Sequence, residues 1–192
     1  MALRIVIIYG SVRTGRQGIR AARFVEHQLQ GRGHDVTLVD PLDVQLPLLD
    51  RMYKEYAKGT APAVLEELAT LYRAADAFVV VTGEYNHSVP PALMNLLDHF
   101  LEEYFFRPSA IVCYSGGTFG GVRAAVQLRA SLCEMGMPSI SSMFPVPRVG
   151  DAFAADGTPA DAATIRRFQR FATELEWYAE ALRERRKCGV PY

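Results

Sequence analysis

A three-layer α/β fold, with one open sheet of five parallel strands covered by helices on both faces, is predicted by three observations. Short β-branched runs alternate with longer stretches of helical period, the pattern of repeated βαβ units. The runs Ile5-Val6-Ile7-Ile8 and Phe78-Val79-Val80-Val81 are apolar at every position, as strands covered above and below must be. The length of 192 residues, with 49% hydrophobic and 22% charged residues, suits one packed domain over residues 1–192.

The elements follow in order. Strands are predicted at 3–9, 35–40, 77–82, 110–114 and, more weakly, 139–144, with helices at 17–30, 62–74, 91–104, 121–135 and 159–186 between and after them. In the helix at 91–104, Leu93, Leu96, Leu97, Phe100, Leu101 and Tyr104 recur at threes and ones and form a continuous apolar stripe. Ile165, Phe168, Phe171, Leu175, Tyr178 and Leu182 give the last helix a narrower stripe. Thr158 before Pro159 predicts its start, since threonine caps free amides and proline suits the first helical position. Residues 145–159, with their prolines and glycines, read as a surface loop. Right-handed crossovers leave two common strand orders open, 2-1-3-4-5 and the dinucleotide-binding Rossmann order. In both, ligands sit beyond the carboxyl ends of the strands, which directs attention to the loops after the first, third and fourth.

Composition narrows the partners. Lys plus Arg total 21 and Asp plus Glu total 21, so no global field draws the chain to nucleic acid or an acidic membrane. Cys113, Cys133 and Cys188 lack the spacing of a disulfide scaffold or zinc site and read as free thiols in a reducing, cytoplasmic setting. The start has no signal-peptide pattern, and no apolar run is long enough to span a membrane.

Three loops carry chemistry. The first, Gly10-Ser11-Val12-Arg13-Thr14-Gly15-Arg16-Gln17-Gly18, leaves a strand and enters a helix, so free amides, hydroxyls and two guanidinium forks converge where an anion is favoured. It departs from the Walker A pattern, because Arg16 and Gln17 replace the lysine and the magnesium-binding hydroxyl. It departs from G-x-G-x-x-G at Val12, where a pyrophosphate needs bare backbone, and so fits a monophosphate better. The second loop, residues 82–91, sets Tyr85 beside Asn86 at the mouth of the sheet, and the third, residues 115–121, supplies four glycines. Together they predict a slot for a flat ring.

The segments GSVRTGRQG at 10–18, EYNHSVPPALMNLLD at 84–98 and SGGTFGGVRA at 115–124 resemble, in residue type, order and spacing, the NAD(P)H-dependent FMN reductase and quinone reductase family of flavodoxin-like proteins. The resemblance spans residues 1 to about 146 and implies the 2-1-3-4-5 order. It implies FMN as cofactor, NADPH or NADH as co-substrate, a quinone, free flavin or other small molecule as electron acceptor, and a homodimer or homotetramer. Ser11, Arg13, Gln17 and Gly18, with Arg16 contributing, would hold the phosphate and ribityl chain. Glu84, Tyr85, Asn86 and His87 would border the isoalloxazine. Ser115, Gly116, Gly117 and Gly120 would meet its pyrimidine side, with Arg123 supporting the loop or reaching toward NADPH. The chain departs from the family at Gly83, where proline is usual, which predicts a looser loop, and at Arg16, where many members carry serine.

No catalytic side chain and no metal ligand follows, because the cofactor carries such chemistry itself. The aromatics Phe100, Tyr104, Phe105 and Phe106 exceed what one helix stripe buries and point to an interface between subunits. A non-catalytic flavin electron carrier or a flavin-based sensor stands as the alternative function.

Overall fold

The computed structural model describes residues 2–192. Strands β1 (Arg4–Tyr9), β2 (Asp35–Val39), β3 (Ala77–Thr82), β4 (Ser109–Tyr114) and β5 (Ser139–Val146) form one parallel sheet in the order β2-β1-β3-β4-β5. The helices are α1 (Ile19–Gly31), α2 (Pro41–Val44), α3 (Ala63–Ala74), α4 (Pro91–Asp98), α5 (Val122–Glu134), α6 (Val149–Ala152) and α7 (Ala162–Arg186).

Strand alternation divides the core in two. Ile5, Ile7, Val79 and Val81 pack against α1 and α7, while Val6, Ile8, Phe78 and Val80 pack against α3, α4 and α5. Both faces of β3 and β4 are fully covered, which explains why their sequences lack a polar alternation. Tyr9 pairs in register with Val81, Thr82 with Cys113, and Tyr114 with Val146. The loops leaving β1, β3, β4 and β5 therefore emerge side by side.

Four expectations need correction. The helix predicted at 91–104 ends at Asp98 and is followed by a 3-10 turn at Glu102–Tyr104. The buried Glu103 carboxylate accepts the Leu101 N–H at 3.3 Å, which competes with helix propagation, while Phe100 and Tyr104 still reach the core. The last helix starts at Ala162, not Pro159: Asp161 caps it by accepting the Thr164 N–H at 2.7 Å, and Pro159 is held in a bridge with Phe153. Residues 145–159 are more ordered than a surface loop, since β5 continues through Pro145 on the sheet edge, α6 follows, and Val149 and Phe153 enter the core. The helix predicted from Gln17 begins at Ile19.

The aromatic stretch also resolves within the chain. Phe100 and Tyr104 are buried, and Phe105 and Phe106 stack on Tyr192 with ring centroids 5.3 and 5.0 Å away. These rings thus supply no case for a subunit interface. Cys113 is buried, its thiol pushed up to about 12 by desolvation, whereas Cys133 lies exposed on α5 rather than packed. Among the described residues no helix is long and apolar enough to cross a membrane.

Candidate functional site

The loop after β1 is fixed from below. The Gly10 N–H donates to Val81 O at 3.1 Å, and a Cβ there would lie 2.6 Å from Leu93 Cβ, so only glycine lets α4 pass so close. Ser11 is buried; its hydroxyl accepts the Arg13 N–H at 3.4 Å and lies 3.5 Å from the Tyr85 hydroxyl. Among the described residues the amides of Thr14, Gly15 and Gln17 meet no acceptor. Unspent amides ahead of a helix form a cradle for an anion.

The two arginines of this loop differ in kind. Arg13 is exposed, pairs with no carboxylate among the described residues, and places its guanidinium 5.9 Å from the Tyr85 ring centroid. Arg16 forms an ion pair with Asp40 at the end of β2, donates to Ser11 O at 3.1 Å and covers the Tyr9 ring at 5.3 Å. Its charge is largely neutralised, and its work is to tie the loop to the sheet.

Behind the loop stands Tyr114, the last residue of β4. A Cβ on Gly18 would fall 2.0 Å from its ring, and one on Gly83 would fall 3.1 Å away. The Tyr114 hydroxyl donates to that of Tyr9 at 3.4 Å, and burial raises the titration of both phenols. Gly83 is thereby explained. It is buried against the ring rather than loose, and a side chain there would press on Tyr114.

The loop after β3 makes a tight turn in which Tyr85 and Ser88 exchange backbone hydrogen bonds of 3.0 and 2.9 Å. Asn86 and His87 at its tip have φ of 51° and 66°, a left-handed conformation that costs free energy for side chains other than glycine. Gln127 of α5 holds the turn, donating to His87 O at 3.0 Å and accepting from the Ser88 hydroxyl at 2.9 Å. Glu84 turns away from the mouth: its carboxylate accepts the N–H groups of Arg123 and Ala124 at 3.1 and 3.3 Å, capping α5 where Gly121 offers no side chain. Arg123 also pairs with Glu84 at 3.3 Å and lies 4.1 Å over the Phe119 ring.

The Ser115 hydroxyl clips the loop after β4, donating to Gly117 O and accepting the Gly120 N–H, both at 3.0 Å. Gly116 and Gly117 stay exposed with open space where a Cβ would be. A fourth loop completes the site. Arg148, after β5, has φ of 45°, donates its N–H to Gly117 O at 2.9 Å, and has no carboxylate partner among the described residues.

Ser11, Arg13, Arg16, Gln17, Tyr85 and Gly116 line one cavity of about 310 Å³, at the small end of cofactor-sized pockets. Of the other predicted residues, Gly18 lies behind its wall, Asn86 and His87 form the outer turn, Ser115, Gly117 and Gly120 shape the glycine loop, and Glu84 and Arg123 brace α5. Tyr114, Arg148 and Asp151 also line the cavity and were missed. The signal for Arg148 was available, since the loop after the fifth strand lies at the same sheet edge as the other three.

The cavity's unpartnered guanidinium groups and unspent amides fit a phosphate, and its tyrosine and bare glycine backbone fit a flat ring. The family model for NADPH-dependent FMN reductases matches residues 3–151. This chain belongs to that family. It is 30% identical over 188 residues to an NAD(P)H-dependent FMN reductase of Pseudomonas aeruginosa, covering 94% of this chain and 97% of the relative. It is 30% identical over 131 residues to an NADPH azoreductase of a Bacillus species, 68% of each chain. Among solved structures, the flavoenzyme NAD(P)H:(acceptor) oxidoreductase FerB of Paracoccus denitrificans superposes with a TM-score of 0.73 at 22% identity, covering 95% of this chain and 98% of that one. A flavodoxin of P. aeruginosa, an electron carrier's fold, superposes less well, with a TM-score of 0.55 at 18% identity over 94% and 99% of the two chains. With membership of the FMN reductase family comes the class of chemistry: an oxidoreductase that uses FMN and is reduced by NADPH or NADH.

Proposed function

We propose that this FMN reductase family member holds FMN in the cavity between the β1, β3, β4 and β5 loops and passes electrons from NADPH or NADH to a quinone, free flavin or similar small acceptor. The observation that carries this is the convergence of Arg13, Arg148 and the free amides of Thr14, Gly15 and Gln17 at one end of a cavity whose other walls are Tyr85 and Gly116. FMN, when bound, supplies a ring that accepts hydride and releases two electrons.

The chain's own residues bind and orient. Arg13 and the loop amides receive the phosphate, with Ser11 and Gln17 beside it, while Arg16 holds the loop against Asp40. Tyr85 and the Gly116-Gly117 backbone form the slot for the ring, and the Asn86-His87 turn presents backbone donors at its edge, stabilising negative charge there. Gly18 and Gly83 admit Tyr114, which sets the depth of the slot. Glu84, Arg123, Ser115 and Gly120 keep the two ring loops in place. Binding and positioning are the roles assigned, and no side chain is given a proton to move.

We also read the protein as a cytoplasmic homodimer or homotetramer. Support for the assembly comes from the apolar side chains left exposed near the site, Phe119 at 61% and Val126 at 63%. Sedimentation at micromolar concentration is expected to show more than a monomer, and monomer alone would refute the assembly. For the activity itself, the test is titration of FMN fluorescence with the protein, followed by NADPH oxidation with a soluble quinone or free FMN as acceptor. Quenching at micromolar protein and acceptor-dependent turnover are expected. Unchanged fluorescence contradicts the proposed site.

A further inference from the structure

The arginines of this chain fall into two groups. Arg16, Arg32, Arg73, Arg123, Arg183 and Arg186 each pair with a carboxylate. A second set, Arg148, Arg166, Arg167 and Arg170, forms no ion pair among the described residues. Two carboxylates lie near enough to feel this set, Asp161 with Arg167 and Glu174 with Arg170. Both are already engaged: Asp161 accepts the Thr164 N–H, and Glu174 accepts from the Ser141 and Ser142 amides and the Ser142 hydroxyl.

The second set is also contiguous. Arg148 and Asp151 line both the flavin cavity and a neighbouring hollow of about 500 Å³ along β5 and α7. Arg167 lines that hollow and the next, of about 430 Å³, whose walls carry Arg166 and Arg170 and no carboxylate. In a chain with 21 basic and 21 acidic residues, this concentration is not a by-product of composition. Arg166 and Arg170 stand four apart on α7 and Arg167 and Arg170 three apart, spacings at which like charges repel and weaken a helix. Such a cluster is expected where an anion completes it.

We propose that this arginine track receives the phosphates of the reducing dinucleotide, with Arg148 at the mouth of the flavin cavity and Arg166, Arg167 and Arg170 taking the 2′-phosphate that distinguishes NADPH from NADH. The assignment rests on the FMN reductase function proposed above. The ligand chemistry follows from what the track adjoins. A nicotinamide that reaches the flavin cavity must lay the rest of its dinucleotide along a neighbouring surface, and this surface alone among those bordering the cavity carries several unpartnered guanidinium forks, which match a dianionic phosphate. The track would make the enzyme prefer NADPH.

The test compares kcat/KM for NADPH and for NADH in the FMN-loaded protein and in the variants Arg170→Ala and Arg166→Ala/Arg170→Ala. Both positions are exposed, so folding is not at risk, whereas Arg167 also lies 5.2 Å over the Phe144 ring and is better changed to Gln. The NADPH-to-NADH ratio is expected to fall about 10- to 100-fold in the double variant, the loss of charge-assisted hydrogen bonds to one phosphate. Adenosine 2′,5′-bisphosphate, added to the FMN-loaded protein in a calorimeter, should bind the parent and bind the double variant at least tenfold more weakly, on the same scale. Flavin reduction with an unchanged ratio, or equal binding of the bisphosphate to parent and variant, overturns the arginine assignment alone. Failure of both dinucleotides to reduce the flavin overturns the assignment and the function beneath it together.

Discussion

Replacing Gly18 by Ala tests whether Tyr114 sets the geometry of the phosphate loop. The added Cβ would stand 2.0 Å from Tyr114 Cζ and 2.4 Å from two further ring atoms. Ordinary carbon–carbon contact needs about 3.5 Å or more, so ring or loop must retreat by about 1.5 Å. The ring cannot yield freely, since its hydroxyl is tied to Tyr9 and a second glycine, Gly83, presses on it from the β3 loop. Overpacking of this kind costs about 1–3 kcal/mol, and the loop that carries Ser11 and Arg13 is the part able to move. Urea unfolding should therefore show that loss, and FMN fluorescence quenching should show at least about tenfold weaker binding, because a displaced donor loses its charge-assisted bond. Gly18→Ala combined with Tyr114→Ala should recover most of the stability, a coupling that a double-mutant cycle measures directly. Parent-like stability and FMN affinity in Gly18→Ala would refute the role given to Tyr114.

Other expectations follow from single contacts. Arg13→Ala should weaken FMN binding about tenfold or more with little change in the urea midpoint, because the side chain is exposed and unpaired, whereas Arg16→Ala should lower the midpoint because Asp40 loses its partner; equal effects of the two changes on binding would contradict the division of labour. Glu84→Ala removes the acceptor for two amides of α5 and should cost about 1–2 kcal/mol by thermal unfolding, a loss that Glu84→Gln should partly recover. Glu176 titrates below its ordinary value: burial pulls it upward, but hydrogen bonds from Arg32 and His34 outweigh that. A carboxylate depressed in the folded state stabilises it fully above the unfolded value of 4.5 and loses that contribution as pH falls through the lower folded value. Glu176→Gln should thus flatten the acid limb of a stability–pH curve below about pH 5 and leave its shape near neutrality unchanged.

The sheet was legible because β1, β3 and β4 are apolar on both faces, a pattern few other elements share. The strand order followed from the three loop segments rather than from the strands. What the sequence concealed were events decided by contacts across the fold. The helix after Pro91 stops at Asp98 because a distant geometry places Glu103 beside the Leu101 amide, and no local signal marks that. Asp161 and Thr158 are both good caps by residue type, and the bridge between Phe153 and Pro159 chooses between them. In the site, the residue types of all three loops indicated a phosphate and a flat ring, yet they could not separate the exposed Arg13 from the paired Arg16. Glu84 looked like a ring neighbour because of its position before Tyr85, whereas its carboxylate is spent on α5. Tyr114 was hidden as the last residue of a strand, and only the absence of side chains at Gly18 and Gly83 reveals what its ring requires.

The most direct test of the central claim is anaerobic addition of NADPH to the FMN-reconstituted protein while the visible flavin absorption is followed. Bleaching that is fast on mixing, and slowed in Arg13→Ala only through loss of bound FMN, is the predicted result. A bound flavin that keeps its oxidised spectrum in the presence of both NADPH and NADH would contradict the reductase function and leave the protein a flavin carrier or sensor.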